Sequence, residues 1–479
     1  MDRAAQLVEV LGKLSALEAV ALARAVELAR LKGRETLPTE LVLDALRPRL
    51  REARAGRIPN LRRLVCAAFQ YFLIDEEELP RVPGRLPRAA IAPWWTALQR
   101  IGGAELRALE AELAGRFTEG ASGDTQDVAL AAWSKAAEWT RSLSQELAAP
   151  KRDAALRELF PRVELGADVA AIADLLAIAA PVTAAFAAMD QVLAAAGKLD
   201  GRQIVEFIPE AVTIAKQHYV AMSEAQGMRN SLLALGLLNR LRRPWHILRL
   251  ARALSWKQND ALLRQTEFAV VGERLIQGLA KSAQDIAALA APRTGAIDAA
   301  RIAAAIADYM EEAEGLLGEF GFRRDSDWGE AILRTRVSVS DAIGRAFLGR
   351  LAEQMMARIL PVERRAGTPR GVSAEPDLRE PPSDGAIAEA IEAAKLLAML
   401  QHRGARHGFG QPAHDTIDAL GTEIEKRTRD LLDALRRSPG HPVIEAQISA
   451  AAHVIDVLFE DGRGSTIARR MRLLRPAPA

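Results

Sequence analysis

Apolar residues recur along this chain at intervals of three, four and seven, and that spacing constrains its fold more than any single motif. Leu7, Leu11, Leu14, Leu17, Ala21 and Leu28 form one such stripe. A helix turns by about 100° per residue, so these side chains share one face, which other helices must cover. The stripes are built mainly from Ala and Leu. Residues that favour strands are scarce, and aromatics are only 5% of the 479 residues. With 49% hydrophobic and 26% charged residues the chain lies in the globular range. The expected fold is therefore all-α, with a length that suits about two to four domains.

Breaks in the periodicity give the expected organisation. An N-terminal helical domain covers 1–116 and contains a loop at 75–93, where Pro80, Pro83, Pro87 and Pro93 exclude a continuous helix. Arg81, Arg85 and Arg88 precede Trp94 and Trp95, so the loop reads as a solvated connector with partner binding as the alternative. A Gly/Ser-rich break at 115–124 leads to a central helical domain over 124–360. Within it, Asp200 with Gln203 and Asp327 with Glu330 have the form of helix N-caps with their N3 partners. The segment 361–385 carries Pro361, Pro369, Pro376, Pro381 and Pro382 with few apolar residues, and reads as a flexible linker. Beyond it, stripes such as Ile417, Leu420, Ile424, Leu431 and Leu435 mark three helices over 386–460, expected to form a C-terminal three-helix bundle. The basic tail, 461–479, is expected to be frayed.

Cys66 is the one cysteine, which excludes an intrachain disulfide and multi-cysteine zinc patterns. It lies in an apolar run and reads as a buried small hydrophobe. The least polar stretch, Leu175 to Met189, is interrupted by Pro181 and bracketed by Asp174 and Asp190. A bilayer span needs about 20 apolar residues, so a buried helix is expected here rather than a membrane span. The N-terminus shows no signal-peptide pattern, and the expected location is the cytoplasm. Abundant Ala and Arg with little Lys fits a GC-rich bacterial genome.

Catalytic signatures are missing: there is no phosphate loop ending in Gly-Lys-Ser/Thr, no G-x-G-x-x-G after a strand, no H-E-x-x-H and no nucleophile elbow. The sequence assigns no catalytic residue, cofactor or metal, and argues against an enzyme. His402, His407, His414 and His441 cluster late in the chain, but their spacing matches no ligand rhythm, and exposed turn residues are the plainer reading.

Charge is distributed unevenly. The chain holds 64 basic and 62 acidic residues, for a net charge of +2. From 229 to 257 it carries seven cations, namely Arg229, Arg240, Arg242, Arg243, Arg249, Arg252 and Lys257, and no acid. If Pro244 opens a helix running to Lys257, then Trp245, Arg249, Arg252 and Trp256 share one side and Ile247, Leu250, Ala251 and Leu254 the other. Arg242, Arg243, Trp245, Arg249, Arg252, Trp256 and Lys257 are thus the candidate binding residues, with guanidinium groups able to lie over indoles. The alternative is that the tryptophans pack between helices and the arginines meet distant acids. A weaker signal is the tail, with Arg463, Arg469, Arg470, Arg472 and Arg475 and no acid after Asp461.

These features rank three functions. First is a non-enzymatic helical scaffold that binds an acidic protein partner. Second is nucleic-acid or anionic-lipid binding through 229–257, against which the near-neutral total charge counts. Third is an enzyme or small-ligand binder with a site between helices of the central domain.

Overall fold

The structure is a computed structural model that describes residues 7, 10–11, 13–31, 39–55, 60–75, 81–118, 125–149, 154–162, 164–226, 229–255, 260–292, 295–365 and 373–474. The fold is all-α, as the periodicity requires, with three two-stranded pairings among the described residues. Contacts divide the chain into two compact units, Met1–Ala184 and Ala185–Ala479. This division falls at neither 124 nor 361, where proline and glycine suggest boundaries.

In the first unit, α1 (Ala16–Leu31) packs on α2 (Thr39–Ala55) through Ala19, Val26, Val42 and Leu46. The remaining helices are α3 (Leu61–Cys66), α4 (Ile91–Thr118), α5 (Gln126–Ala148), α6 (Ala154–Leu159) and α7 (Glu164–Ala177). The proline-rich loop is better anchored than its composition suggests. Leu86–Pro87 (β2) pairs in parallel with Leu73–Ile74 (β1), and Arg81 reaches the buried Asp168 at 2.9 Å. Trp94 is 0% exposed and donates from Nε1 to Thr140 Oγ1, while Trp95 is also buried. These indoles are core residues, so no aromatic surface remains for the partner-binding alternative. Residues 76–80 of the loop lie outside the described residues. Cys66 is half-buried, and burial pushes its thiol up to about 11, keeping it protonated.

The apolar stretch near Leu175 is not one helix. α7 and α8 (Ala179–Ala195) meet at 64°, and no single helix among the described residues is long and apolar enough to cross a membrane.

In the second unit, the Asp200–Gln203 pattern marks a hairpin instead of a helix start. Leu199–Asp200 (β3) pairs antiparallel with Gln203–Ile204 (β4), because Asp-Gly at 200–201 is a tight-turn sequence. Then come α9 (Pro209–Gln226), α10 (Asn230–Leu238), α11 (Leu248–Leu254), α12 (Asp260–Leu263), α13 (Ala269–Ala290) and α14 (Ala299–Glu319). α15 (Asp327–Ala342) is capped one residue earlier than the sequence suggests, by Ser326 Oγ accepting from Gly329 N. α16 (Arg345–Ile359) completes the expected central region.

The expected flexible linker is a correction. Val362–Arg365 (β5) and Ser373–Pro376 (β6) form an antiparallel pair, although 366–372 lie outside the described residues. Its base is fastened by Arg427 donating to Leu360 O at 2.9 Å and Gln447 donating to Asp377 O at 2.7 Å. Backbone pairing and these anchors offset the ordering entropy that few apolar residues could not.

α17 (Asp384–Arg403), α18 (Gly410–Arg437) and α19 (Pro442–Leu458) follow near the expected bounds. Each packs on the other two, but α14 and α16 also pack on α17, and α16 on α18. Leu351 and Met355 of α16 are fully buried. At about 1.5–3 kcal/mol per buried large aliphatic side chain, such residues bind α16 into this core. The basic tail is a second correction. It forms α20 (Arg463–Arg472), seated on α19 with Gly464 against Ala452 O and with Ile467 and Met471 buried. A Cβ at 464 would overlap that carbonyl, so glycine sets the close approach. Residues 475–479, including Arg475, lie outside the described residues.

Candidate functional site

The segment at 229–257 does not present the outward ridge expected of it. Pro244–Ile247 is a 3-10 turn, and only Leu248–Leu254 is α-helical. A 3-10 turn advances about 120° per residue, so Trp245 is rotated away from the face predicted by continuous α-geometry. Its indole is 9% exposed and lies against Gly315 of α14, where a Cβ would overlap the ring. Trp256 and Lys257 lie outside the described residues.

Most of the described cations here meet acids from elsewhere in the unit. Arg240 is 3% exposed, pairs with Asp190 at 2.6 Å, donates to Arg202 O and lies 5.1 Å from the Phe186 ring centre. Arg243 pairs with Glu311 at 2.9 Å. Arg249 and Arg252 share Glu319, at 2.6 and 3.6 Å, and Arg249 also donates to Phe207 O. Arg242 is exposed and has no side-chain partner among the described residues. His246, 4% exposed among these arginines, is pushed down to about 4, first by burial and then by Arg249, against the pull of Glu319.

The late histidines do not converge. His402 is exposed, and His414 contacts Gln401 and Asp418. His407 is buried beside Glu314 at 3.3 Å, and burial lowers it despite that carboxylate. His441 heads α19 with Nδ1 unpartnered. Among the described residues no group of three or more His, Cys, Asp or Glu is placed to hold a metal.

Unmatched positive charge gathers instead where α18 meets α20. Helical periodicity turns Ile467 and Met471 inward and exposes Arg469, Arg470 and Arg472. A cleft of about 340 Å³ between the helices is lined by Glu425, Thr428, Arg429 and Leu432 of α18 and by Arg463, Thr466, Ile467 and Arg470 of α20. Arg463 is committed: it pairs with Asp461 at 2.6 Å and Glu425 at 3.4 Å, and lies 4.4 Å from the Phe459 ring centre. Arg429, Arg469 and Arg470 have no carboxylate partner among the described residues. The sequence flagged the tail's charge but missed Arg429, because α18 as a whole mixes acids and bases. Only the fold places that position opposite α20.

A larger groove of about 1020 Å³ runs between α16 and α18, with Gly349, Ala352, Met356, Ala419 and Leu420 among its apolar lining. Pro361, Val362, Glu423 and Arg427 also border a recess of about 120 Å³, where the fully buried Gln447 has Oε1 unpartnered. Compared with protein-family models, curated proteins and solved structures, the chain matches none.

Proposed function

We propose that this chain is a non-enzymatic helical scaffold in the cytoplasm that binds an acidic protein partner, and that it does so on the face formed by α18 and α20. The observation that carries this reading is the pair Arg429 and Arg470, which line a cleft and make no ion pair among the described residues, the carboxylate of the lining Glu425 being held by Arg463 at 3.4 Å. Guanidinium groups suit carboxylates because their planar donors match two acceptor oxygens. The 229–257 segment contributes less, since its one described indole is enclosed and most of its cations are paired. That also weakens the form of the nucleic-acid alternative in which Trp245 stacks on bases.

The test is fluorescence anisotropy of a labelled poly-glutamate peptide with the full chain. Binding should weaken steeply as salt rises from ~0.01 M to ~0.15 M, because the Debye length shrinks from about 30 to 8 Å. Tighter binding to single-stranded DNA or to anionic vesicles than to the peptide would contradict a protein partner, as would absence of peptide binding at low salt.

A second reading, small-ligand binding beside α16, rests on Gln447. Gln447 lines the recess with its Nε2 fixed on Asp377 O, and its buried Oε1 is an acceptor without a donor. A thermal-shift series with neutral amides and alcohols tests it: stabilisation that disappears in Gln447→Leu supports this reading, and no shift removes it.

A further inference from the structure

We infer that the groove between α16 and α18 takes an amphipathic helix of a partner protein, about four turns long, with a cation beside its apolar stripe. The inference is independent of the α18–α20 reading and stands without it.

The walls set the shape of the occupant. Arg345 at the start of α16 lies 3.8 Å from Asp415 near the start of α18, and Arg427 further along α18 donates to Leu360 O just past the end of α16. The two helices therefore run in the same direction over about 15 residues, or ~22 Å at a rise of about 1.5 Å per residue. A helix is about 10–12 Å across, so half the thickness of one that long fills roughly 900–1,200 Å³. The groove holds about 1020 Å³. Ala357 and Ala419 of its lining are exposed, so it lies open to solvent and does not enclose its occupant as a small-ligand pocket does.

Gly349 marks a place of close approach. Glycine weakens a helix interior relative to alanine, and elsewhere in this chain packing accounts for it: Trp328 lies against Gly272, Trp245 against Gly315 and Phe459 against Gly421. A Cβ at Gly349, in the middle of α16, would meet nothing within 4 Å. Gly115 and Gly318 are unfilled too, but both stand in the last turn of their helices. No contact within the chain requires glycine at 349, whereas a helix laid close against α16 gives its missing side chain a use. Met356 and Leu420, both buried, supply apolar surface on either wall, and methionine adapts readily to an incoming side chain.

Charge sets the sign of the polar contact. Asp415 faces Arg345, and Glu423 pairs with Arg427 at 2.8 Å. Glu353 is exposed and makes no ion pair among the described residues, so the lining carries one net negative charge. A lysine or arginine flanking the partner's apolar stripe matches it.

The experiment titrates the full chain with two labelled 15-residue peptides, read by fluorescence anisotropy. Both place Leu and Ala at helical periodicity; one carries a single Lys at the edge of that stripe and the other a Glu in its place. The Lys peptide should bind about three- to fivefold more tightly, the scale of an exposed ion pair. Glu353→Lys should reverse that order. Gly349→Leu should weaken both peptides at least about tenfold while its melting temperature stays no lower than the parent's, because leucine is the better helix former and its Cβ meets open space. Ala419→Leu, at an exposed position on the opposite wall, should weaken both peptides likewise. Arg429→Gln with Arg470→Gln should leave binding of the Lys peptide unchanged, which separates this groove from the α18–α20 face. Failure to bind either peptide overturns the inference, as does binding that neither leucine variant weakens or a preference that Glu353→Lys does not reverse. Displacement of the Lys peptide by an equal concentration of octylamine would make the groove a site for small amphiphilic cations and contradict a helix.

Discussion

Around α11, the guanidinium groups of Arg240, Arg243, Arg249 and Arg252 meet Asp190, Glu311 and Glu319; on α20, Arg469 and Arg470 meet no carboxylate among the described residues. Both stretches are rich in arginine, and the first looks the more exceptional because no acid interrupts it. Its partners come from helices distant in sequence, with Glu311 and Glu319 of α14 lying 68 and 70 residues beyond the arginines they bind. Of the acids beside α20, Asp461 and Glu425 are held by Arg463, and Asp456 accepts from Ser465 N at the helix start. A local excess of charge therefore says little about charge free for binding; what decides is whether the fold brings a counter-ion alongside. The first region's cations are taken up within the unit, and on the proposed function the second region is the one that offers charge to a partner.

The largest expected effect tests the structural half of that contrast. Arg240→Met leaves the partly exposed Asp190 without its cation and Arg202 O without its donor, and should cost about 3 kcal/mol, the low end of the range for fully buried pairs. Urea denaturation measures it; a loss below about 1 kcal/mol would mean that this arginine is not structural. Next comes acid sensitivity. His246 titrates at about 4 in the folded protein and near 6.5 when unfolded, so the unfolded chain takes up the proton first as pH falls. Its contribution is complete above pH ~6.5 and declines by about 3 kcal/mol as the pH approaches 4. His246→Gln should flatten that part of the stability–pH curve; an unchanged curve contradicts the burial argument. Gly315→Ala should cost about 1–3 kcal/mol by pushing Trp245 off α14. Intrinsic tryptophan fluorescence gives the readout, a red shift accompanying the loss. The smallest effect belongs to α20: Arg469→Glu with Arg470→Glu should change stability by no more than about 0.5 kcal/mol. A larger loss would show that these arginines also serve the fold.

Helix content was legible because Ala–Leu stripes encode one inward face without reference to the rest of the chain. The late helices show this best, since Ile417, Ile424, Leu431 and Leu435 are all buried on α18 as their spacing requires. Composition misled where pairing depended on distant residues. Pro361 precedes, and Pro376 ends, a strand pair whose anchors, Arg427 and Gln447, belong to α18 and α19. Trp245 was misplaced because a 3-10 turn and an α-turn after proline look alike in sequence but aim the side chain differently. The α18–α20 cleft was half legible: the tail's arginines stand out, whereas Arg429 joins them only when α20 folds back beside α18.

The contrast between the two basic regions is tested most directly by reversing charge in each and titrating both proteins with the same labelled acidic peptide at low salt. Arg429→Glu with Arg470→Glu should lose binding, while Arg242→Glu with Arg252→Glu, altered at exposed positions of the first region, should bind as the parent does. The opposite pattern, with binding lost from the second variant and kept by the first, would contradict the assignment of the α18–α20 face.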